Sequence, residues 1–109
     1  MEPLIINHDT LDAAIKGNDM LVVDMWASWC GPCRRFLPIF DQAAATSTDV
    51  VFARLQVDAS DENQATFEGL GYTTVPTLMA FKGGTLVTDT SGALGKSDLT
   101  TVLDTLQAA

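Results

Sequence analysis

Apolar residues fall in two kinds of run along this chain, and the first kind predicts the strands of a sheet. Short runs that are almost continuously apolar occupy residues 4–6, 20–26 and 50–57. Runs of this length and density are typical of strands that are covered on both faces. Asp24 and Arg54 are the single full charges within the two longer runs. Since a buried charge requires a partner or a function, both are candidate site residues.

The second kind of run has apolar residues at the i, i+3, i+4 spacing of one helix face, and it predicts four helices. Pro38 lies inside the second helix and predicts a kink, because proline deletes a backbone hydrogen bond. The third helix covers residues 61–70 and is closed by Gly71. The apolar stripes are Leu11, Ala14 and Ile15; Phe36, Ile39, Phe40 and Ala43; Phe67 and Leu70; and Leu99, Val102, Leu103 and Leu106.

The last part of the sheet is predicted as a hairpin. Residues 77–81 and 86–90 read as strands, and Gly83-Gly84 between them suits a tight turn. The predicted order is therefore βαβαβα followed by ββα. This order favours an α/β fold, with a mixed sheet of about five strands and helices on both faces. At 109 residues the chain is expected to form one domain over residues 1–109.

Composition and charge narrow the class of protein. Hydrophobic residues make up 47% of the chain and charged residues 18%, which excludes a disordered tail. No apolar run is long enough to span a membrane. The net charge of −8 argues against nucleic-acid binding through phosphate contacts. Glu2 and Pro3 stand where a signal peptide would begin with basic residues, so we expect a cytoplasmic location. We also expect a monomer.

The two cysteines, Cys30 and Cys33, lie where the second strand gives way to the second helix. Cysteines two residues apart can close a small disulfide, and a helix N-terminus stabilises the thiolate of the first. Pro32 suits the first helical turn, and Gly31 keeps the loop uncrowded. Arg34 and Arg35 follow directly and make this helix start electropositive. The pattern predicts redox chemistry with Cys30 as the nucleophile.

Three other interpretations of the cysteine pair compete with redox chemistry. A closed zinc site needs two further ligands, but the chain has no other cysteine and His8 is its only histidine. A purely structural disulfide across so short a loop would stabilise the fold little. Inert core thiols fit poorly with an exposed, electropositive helix start. We therefore expect no metal and no bound cofactor.

Beyond the cysteines, several stretches resemble the thioredoxin family along essentially the whole chain. The residues that carry this resemblance are 23–33, with the sequence Val-Asp-Met-Trp-Ala-Ser-Trp-Cys-Gly-Pro-Cys, then Pro38, Val57-Asp58, Val75-Pro76-Thr77, Phe81-Lys82-Gly83-Gly84 and Gly92-Ala93-Leu94. The resemblance implies a thioredoxin fold, in which a central mixed five-stranded sheet carries four helices on its two faces. It also implies a disulfide oxidoreductase that an NADPH-driven, flavin-dependent thioredoxin reductase re-reduces.

The resemblance further implies a role for each site residue. Cys30 attacks the disulfide of a substrate protein, Cys33 resolves the mixed disulfide, and Asp24 is a buried acid–base group. The Val75-Pro76 bond is expected to be cis. The residues expected to form the substrate surface are Trp29, Gly31, Pro32, Val75, Pro76 and Gly92, and those expected to support the site are Trp26, Pro38 and Arg54.

Two positions depart from the family pattern. Met25 stands where an aromatic residue is common, and Arg54 stands where a lysine is common. Arg54 would offer Asp24 a permanent positive charge if the two central strands are neighbours. The alternative interpretation of Asp24 is therefore a structural carboxylate that is paired with Arg54.

Two other functions remain open from the sequence. The chain could be a non-catalytic binding subunit of a larger assembly, which would keep the fold without needing the thiols. It could also be an oxidant or isomerase of a secretory compartment, although the Gly31-Pro32 pair and the absence of a visible signal peptide disfavour this.

Overall fold

The computed structural model describes residues 1–109 and contains the nine predicted strands and helices in the predicted order. A single 3₁₀ turn, Val57–Ala59, follows the third strand. The elements are β1 (Leu4–Ile6), α1 (Leu11–Gly17), β2 (Met20–Trp26), α2 (Gly31–Thr46), β3 (Val51–Gln56), α3 (Asp61–Gly69), β4 (Thr77–Lys82), β5 (Thr85–Ser91) and α4 (Lys96–Ala108).

The five strands form one mixed sheet in the order β1-β3-β2-β4-β5. β3 lies between β1 and β2 and is parallel to both, as expected when helices make the crossovers. β4 is antiparallel to β2 and to β5. Gly83 and Gly84 turn the β4–β5 hairpin with φ angles of 59° and 83°, a region that favours glycine. β2, which leads to the cysteines, is therefore the central strand.

Alternate residues of the central strands enter two separate hydrophobic layers. Leu21, Val23 and Met25 of β2 pack with residues of α1 and α3 on one face of the sheet. Val22 packs with Phe36 of α2 and with residues of α4 on the other face. Helices on both faces are thus confirmed, and the layer between the sheet and α2 is the one that reaches the cysteines.

Two local features of the core differ from the predicted pattern. Leu70, predicted on the buried face of the third helix, is 48% exposed. α3 ends at Gly69, and Leu70 caps it, so the side chain no longer follows the helical periodicity of Phe67. Val57, predicted as the end of a strand, is instead the first residue of the 3₁₀ turn and remains buried. Pro38 lies on the exposed side of α2, which continues to Thr46.

Candidate active site

A disulfide joins Cys30 to Cys33 at the start of α2. Cys30 is the N-cap residue of this helix, and its Sγ accepts a hydrogen bond of 3.1 Å from the backbone N–H of Cys33. Pro32 occupies the first helical turn, as predicted. Cys33 is fully buried, whereas Cys30 keeps 5% of its surface exposed. An approaching reagent therefore meets Cys30 first.

The cis Val75-Pro76 bond lies beside the disulfide. The Sγ atom of Cys30 is 3.7 Å from the carbonyl oxygen of Val75. The backbone N–H of Gly92 donates a hydrogen bond of 3.1 Å to the carbonyl oxygen of Pro76, which joins the Gly92 loop to the same place. The predicted cis bond is confirmed, and the Gly92 loop is bonded to the segment that lies beside Cys30.

Trp29, next to Cys30, is 72% exposed, although it is one of the largest apolar side chains of the protein. Behind it, Ala27 packs with the two cysteines, and half-buried Trp26 and Val75 lie against them. The cysteines do not line the depressions between α2 and α4 and beside the N-terminus. Trp29 therefore offers an exposed apolar surface next to Cys30, which suits contact with another polypeptide.

Asp24 lies in β2 and is completely buried. Two residues earlier, Val22 packs against Phe36 and Phe40 of α2, so the alternation of the strand directs Asp24 toward the same helix. Cys33 lies on the same buried stripe of α2 as these two phenylalanines. The carboxyl group of Asp24 therefore enters the layer that ends at the disulfide.

Neither carboxyl oxygen of Asp24 has a hydrogen-bond partner. Burial without a partner penalises the charged form and raises the pKa of Asp24 from 3.8 to about 7. The positive charge of Arg54 lowers this pKa, and the negative charge of Asp41 raises it. Asp24 can therefore gain and lose a proton near neutral pH, as general acid–base chemistry requires.

Arg54 lies opposite Asp24 in the register of β3 and β2, but it does not pair with it. Its Nη2 atom donates a hydrogen bond of 2.6 Å to Asp41 of α2, and its guanidinium carbon is 5.6 Å from the centre of the Phe40 ring. The interpretation of Asp24 as a carboxylate paired with Arg54 is therefore wrong. The exposed carboxylate of Asp41 gives the guanidinium an ion pair without the cost of burying a second charge.

Ser28 and Asp58, to which the sequence assigned no role, hold the loop before Cys30 in place. The carboxylate of Asp58 accepts hydrogen bonds from the Ser28 backbone N–H at 3.0 Å, from the Ser28 hydroxyl and from Gln56 Nε2 at 3.1 Å. The hydrogen bond from the Ser28 hydroxyl is the main reason that the pKa of Asp58 is lowered. Asp58 belongs to the Val57-Asp58 stretch, one of those that carry the family resemblance. Membership of that stretch was the only indication in the sequence that Asp58 matters to the site.

No group of three or more histidine, cysteine, aspartate or glutamate side chains is placed to hold a metal ion. None of the four α-helices combines the length and the apolar character that crossing a membrane would demand.

Comparisons with known proteins agree with the fold and the site. Residues 2–105 match the thioredoxin family model. The thioredoxin of Alicyclobacillus acidocaldarius subsp. acidocaldarius is 42% identical over 96 residues, which cover 86% of this chain and 89% of that protein. The structure of a mutant thioredoxin from Halobacterium salinarum NRC-1 superposes with a TM-score of 0.83 at 33% identity, over 96% of this chain and 90% of that one.

A second similar structure contains a partner protein. It is a complex of ferredoxin:thioredoxin reductase with thioredoxin f2, and it matches with a TM-score of 0.87 at 26% identity, over 97% of this chain and 96% of that one. Together with the Cys30–Cys33 disulfide, these similarities make the protein a thiol-disulfide oxidoreductase. The chain belongs to the thioredoxin family.

Proposed function

We propose that this protein, acting as a single domain, reduces disulfides in other proteins, with Cys30 as the attacking and Cys33 as the resolving cysteine. The observation that carries the proposal is the disulfide at the start of α2, in which Cys30 retains exposure and Cys33 has none. The more exposed sulfur can meet a substrate, whereas the buried one can meet only Cys30. This asymmetry favours a fixed order of attack.

In the first step, the Cys30 thiolate attacks one sulfur of the substrate disulfide. A bond forms between Cys30 and that sulfur, the substrate disulfide breaks, and the other substrate sulfur leaves as a thiolate that takes a proton from solvent. The helix N-terminus favours the negative charge on Cys30 before attack. The product of this step is a mixed disulfide between Cys30 and the substrate.

In the second step, Cys33 loses its proton to the carboxylate of Asp24 and attacks the sulfur of Cys30. The Cys30–Cys33 disulfide forms, and the second substrate sulfur leaves and is protonated. Two electrons have then moved from the protein to the substrate. The burial of Asp24 on the face of the sheet that packs against α2 supports its role as the proton acceptor.

We propose that the substrate binds across Trp29, Gly31, Pro32, Val75, Pro76 and Gly92. Exposed Trp29 offers a large apolar contact, and an aromatic side chain loses little conformational entropy on binding. The Val75 backbone beside the sulfur of Cys30 offers polar groups to an extended segment, which can pair with it as a strand does. Trp26, Pro38 and Arg54 are proposed to support this surface from behind.

A reductase must return two electrons to the Cys30–Cys33 disulfide after each turnover. The complex of a similar chain with ferredoxin:thioredoxin reductase supports a reductase partner in kind. We propose an NADPH-dependent flavoenzyme as that partner. We also propose that the protein is a cytoplasmic monomer and a carrier in electron transport. In a reducing compartment such as the cytosol, a lone cysteine pair is more often catalytic than structural, which agrees with this role.

Insulin reduction with single cysteine variants tests the proposed order of attack. Cys30→Ser should abolish turnover, because no thiolate remains at the more accessible of the two positions. Cys33→Ser should instead accumulate a covalent adduct with the substrate that mass spectrometry detects, because only Cys33 releases the product. Continued turnover in both variants, or an adduct through Cys33, would overturn the assigned roles.

A further inference from the structure

The charges next to the disulfide have the opposite sign to the charge of the whole protein. The chain has 14 acidic and only 6 basic residues. Two of the six, Arg34 and Arg35, directly follow Cys33 and are exposed. The Nη1 atom of Arg35 lies 3.3 Å from the position that a Cβ atom on Gly31 would occupy. The Arg35 guanidinium therefore reaches back over the loop that holds the two cysteines.

These two arginines are free to meet another molecule. No ion pair within the chain engages Arg34 or Arg35. Three other basic side chains have partners: Lys16 pairs with Asp12 at 2.9 Å, Arg54 pairs with Asp41, and Lys82 donates to the carbonyl oxygen of Ala109. Two of the three unpaired basic residues thus directly follow Cys33, and the third is Lys96 at the start of α4.

The carboxylate that is bound to the same loop forms no ion pair with either arginine. Asp58 is bound at Ser28, the residue before Trp29, where the Ser28 backbone N–H, the Ser28 hydroxyl and Gln56 all donate to it. Its oxygens are therefore engaged, whereas the guanidinium donors of Arg34 and Arg35 remain available. The acid bound at Ser28 is thus engaged within the protein, whereas the two arginines after Cys33 have no ion-pair partner.

We infer that Arg34 and Arg35 determine substrate specificity by selecting protein disulfides that are flanked by aspartate or glutamate. A guanidinium group donates two parallel hydrogen bonds to a carboxylate, which adds geometric selectivity to the charge attraction. This inference rests on the proposed function, because it requires a polypeptide disulfide to bind at Cys30. It adds the chemical class of the preferred substrate.

The net charge of the protein predicts a preference for substrates with basic rather than acidic flanking residues. The effect of the net charge can therefore be separated from the effect of Arg34 and Arg35. A charge of −8 repels acidic partners at long range and attracts basic ones. At physiological ionic strength this field is screened beyond about 8 Å, whereas direct contacts with Arg34 and Arg35 lie well inside that distance. We therefore expect the local contacts to decide which substrate is reduced faster.

Three synthetic peptides with one intramolecular disulfide test the inference. They differ only at the two residues that flank the disulfide, which are both Glu, both Gln or both Lys. The wild-type protein should reduce the Glu peptide with a kcat/KM about threefold to tenfold above that of the Gln peptide, and the Lys peptide should be slowest. The double variant R34Q/R35Q should bring the ratio of Glu to Gln peptide close to one.

A matched control removes two positive charges elsewhere. The double variant K16Q/K82Q changes the net charge by the same amount, but Lys16 lies on α1 and Lys82 at the end of β4 away from Pro76. It should keep the wild-type ratio. Equal kcat/KM for all three peptides, preference for the Lys peptide, or loss of the ratio in the control would overturn the inference. Failure to reduce any peptide would overturn the proposed function itself, and the inference with it.

Discussion

Arg54 stands opposite Asp24 on the neighbouring strand, yet its guanidinium binds Asp41. Asp24 is left fully buried with no hydrogen-bond partner, and its pKa is raised to about 7. The positive charge of Arg54 limits this rise but does not remove it, because burial is the larger effect. This arrangement places beneath α2 a carboxyl group whose pKa is about 7.

Replacing Asp24 by Asn should stabilise the protein at neutral pH. A carboxyl whose folded pKa lies above its unfolded value binds a proton more tightly in the folded state, so folding stability falls as pH rises between these two values. For Asp24 this window extends from about pH 4 to about pH 7. At pH 8 the Asn variant should be more stable by roughly 2–4 kcal/mol.

Urea unfolding at several pH values measures this effect. The wild-type free energy of unfolding should decrease between pH 4 and pH 7, and this contribution should be absent in Asp24→Asn. Asp104→Asn, a change at an exposed carboxylate of α4, is the matched control and should keep the wild-type slope. Parallel pH profiles for wild type and Asp24→Asn would show that Asp24 does not have the raised pKa.

The same substitution should slow the release of product from the mixed disulfide. If Asp24 accepts the proton of Cys33, release in the wild type should speed up as pH rises through about 7, where Asp24 becomes charged. Asp24→Asn should lack this rise and release the product at least about tenfold more slowly at pH 8. Rapid-quench measurement of a single turnover gives both rates, and equal rates would assign Asp24 a structural role only.

Asp41→Asn should lower the pKa of Asp24. The negative charge of Asp41 raises that pKa, and its removal also frees Arg54 to approach Asp24. Arg54→Met should move the pKa in the opposite direction, because the positive charge is lost. NMR titration of the Asp24 carboxyl carbon measures both shifts, and Asp41→Glu should restore the wild-type value. An unchanged titration in Asp41→Asn would show that the Arg54–Asp41 pair has no influence on Asp24.

Ser28→Ala should raise the pKa of Asp58 toward its ordinary value, because the Ser28 hydroxyl is the main cause of the lowered pKa. A carboxylate with a lowered pKa stabilises the fold above its unfolded pKa of 3.8, and this contribution is lost as pH falls through the folded value. The wild type should therefore exceed Ser28→Ala in stability at pH 7, and the difference should shrink at acidic pH. Ser28→Thr, which keeps the hydroxyl, should behave like the wild type.

The periodicity of apolar residues was sufficient to predict the elements, because β2 and β3 are buried on both faces and the helices have one apolar side. The strand order β1-β3-β2-β4-β5 was not predicted, since local pattern does not specify which strands become neighbours. Leu70 was wrongly predicted to be buried, because the end of a helix is set by capping rather than by the apolar period. Gly71, with a φ of 93°, directs the chain away from the helix.

The site shows the same division between local and long-range information. The cysteines lie within four residues of each other, and their chemistry follows from the spacing and the helix start. The partner of Arg54 could not be predicted, because Asp41 lies on a helix whose rotation against the sheet is fixed by the packing of Phe36 and Phe40. The bond between Ser28 and Asp58 joins residues 30 positions apart and needs the fold to bring them together.

The reduction potential of the Cys30–Cys33 pair tests the central claim most directly, because it gives the direction in which electrons flow. Equilibration with mixtures of reduced and oxidised glutathione, followed by trapping of free thiols, measures it. A reductant of protein disulfides should have a potential more negative than that of glutathione, so that the pair stays oxidised until strongly reducing ratios are reached. A potential well above that of glutathione would identify the protein as a disulfide donor and contradict this account.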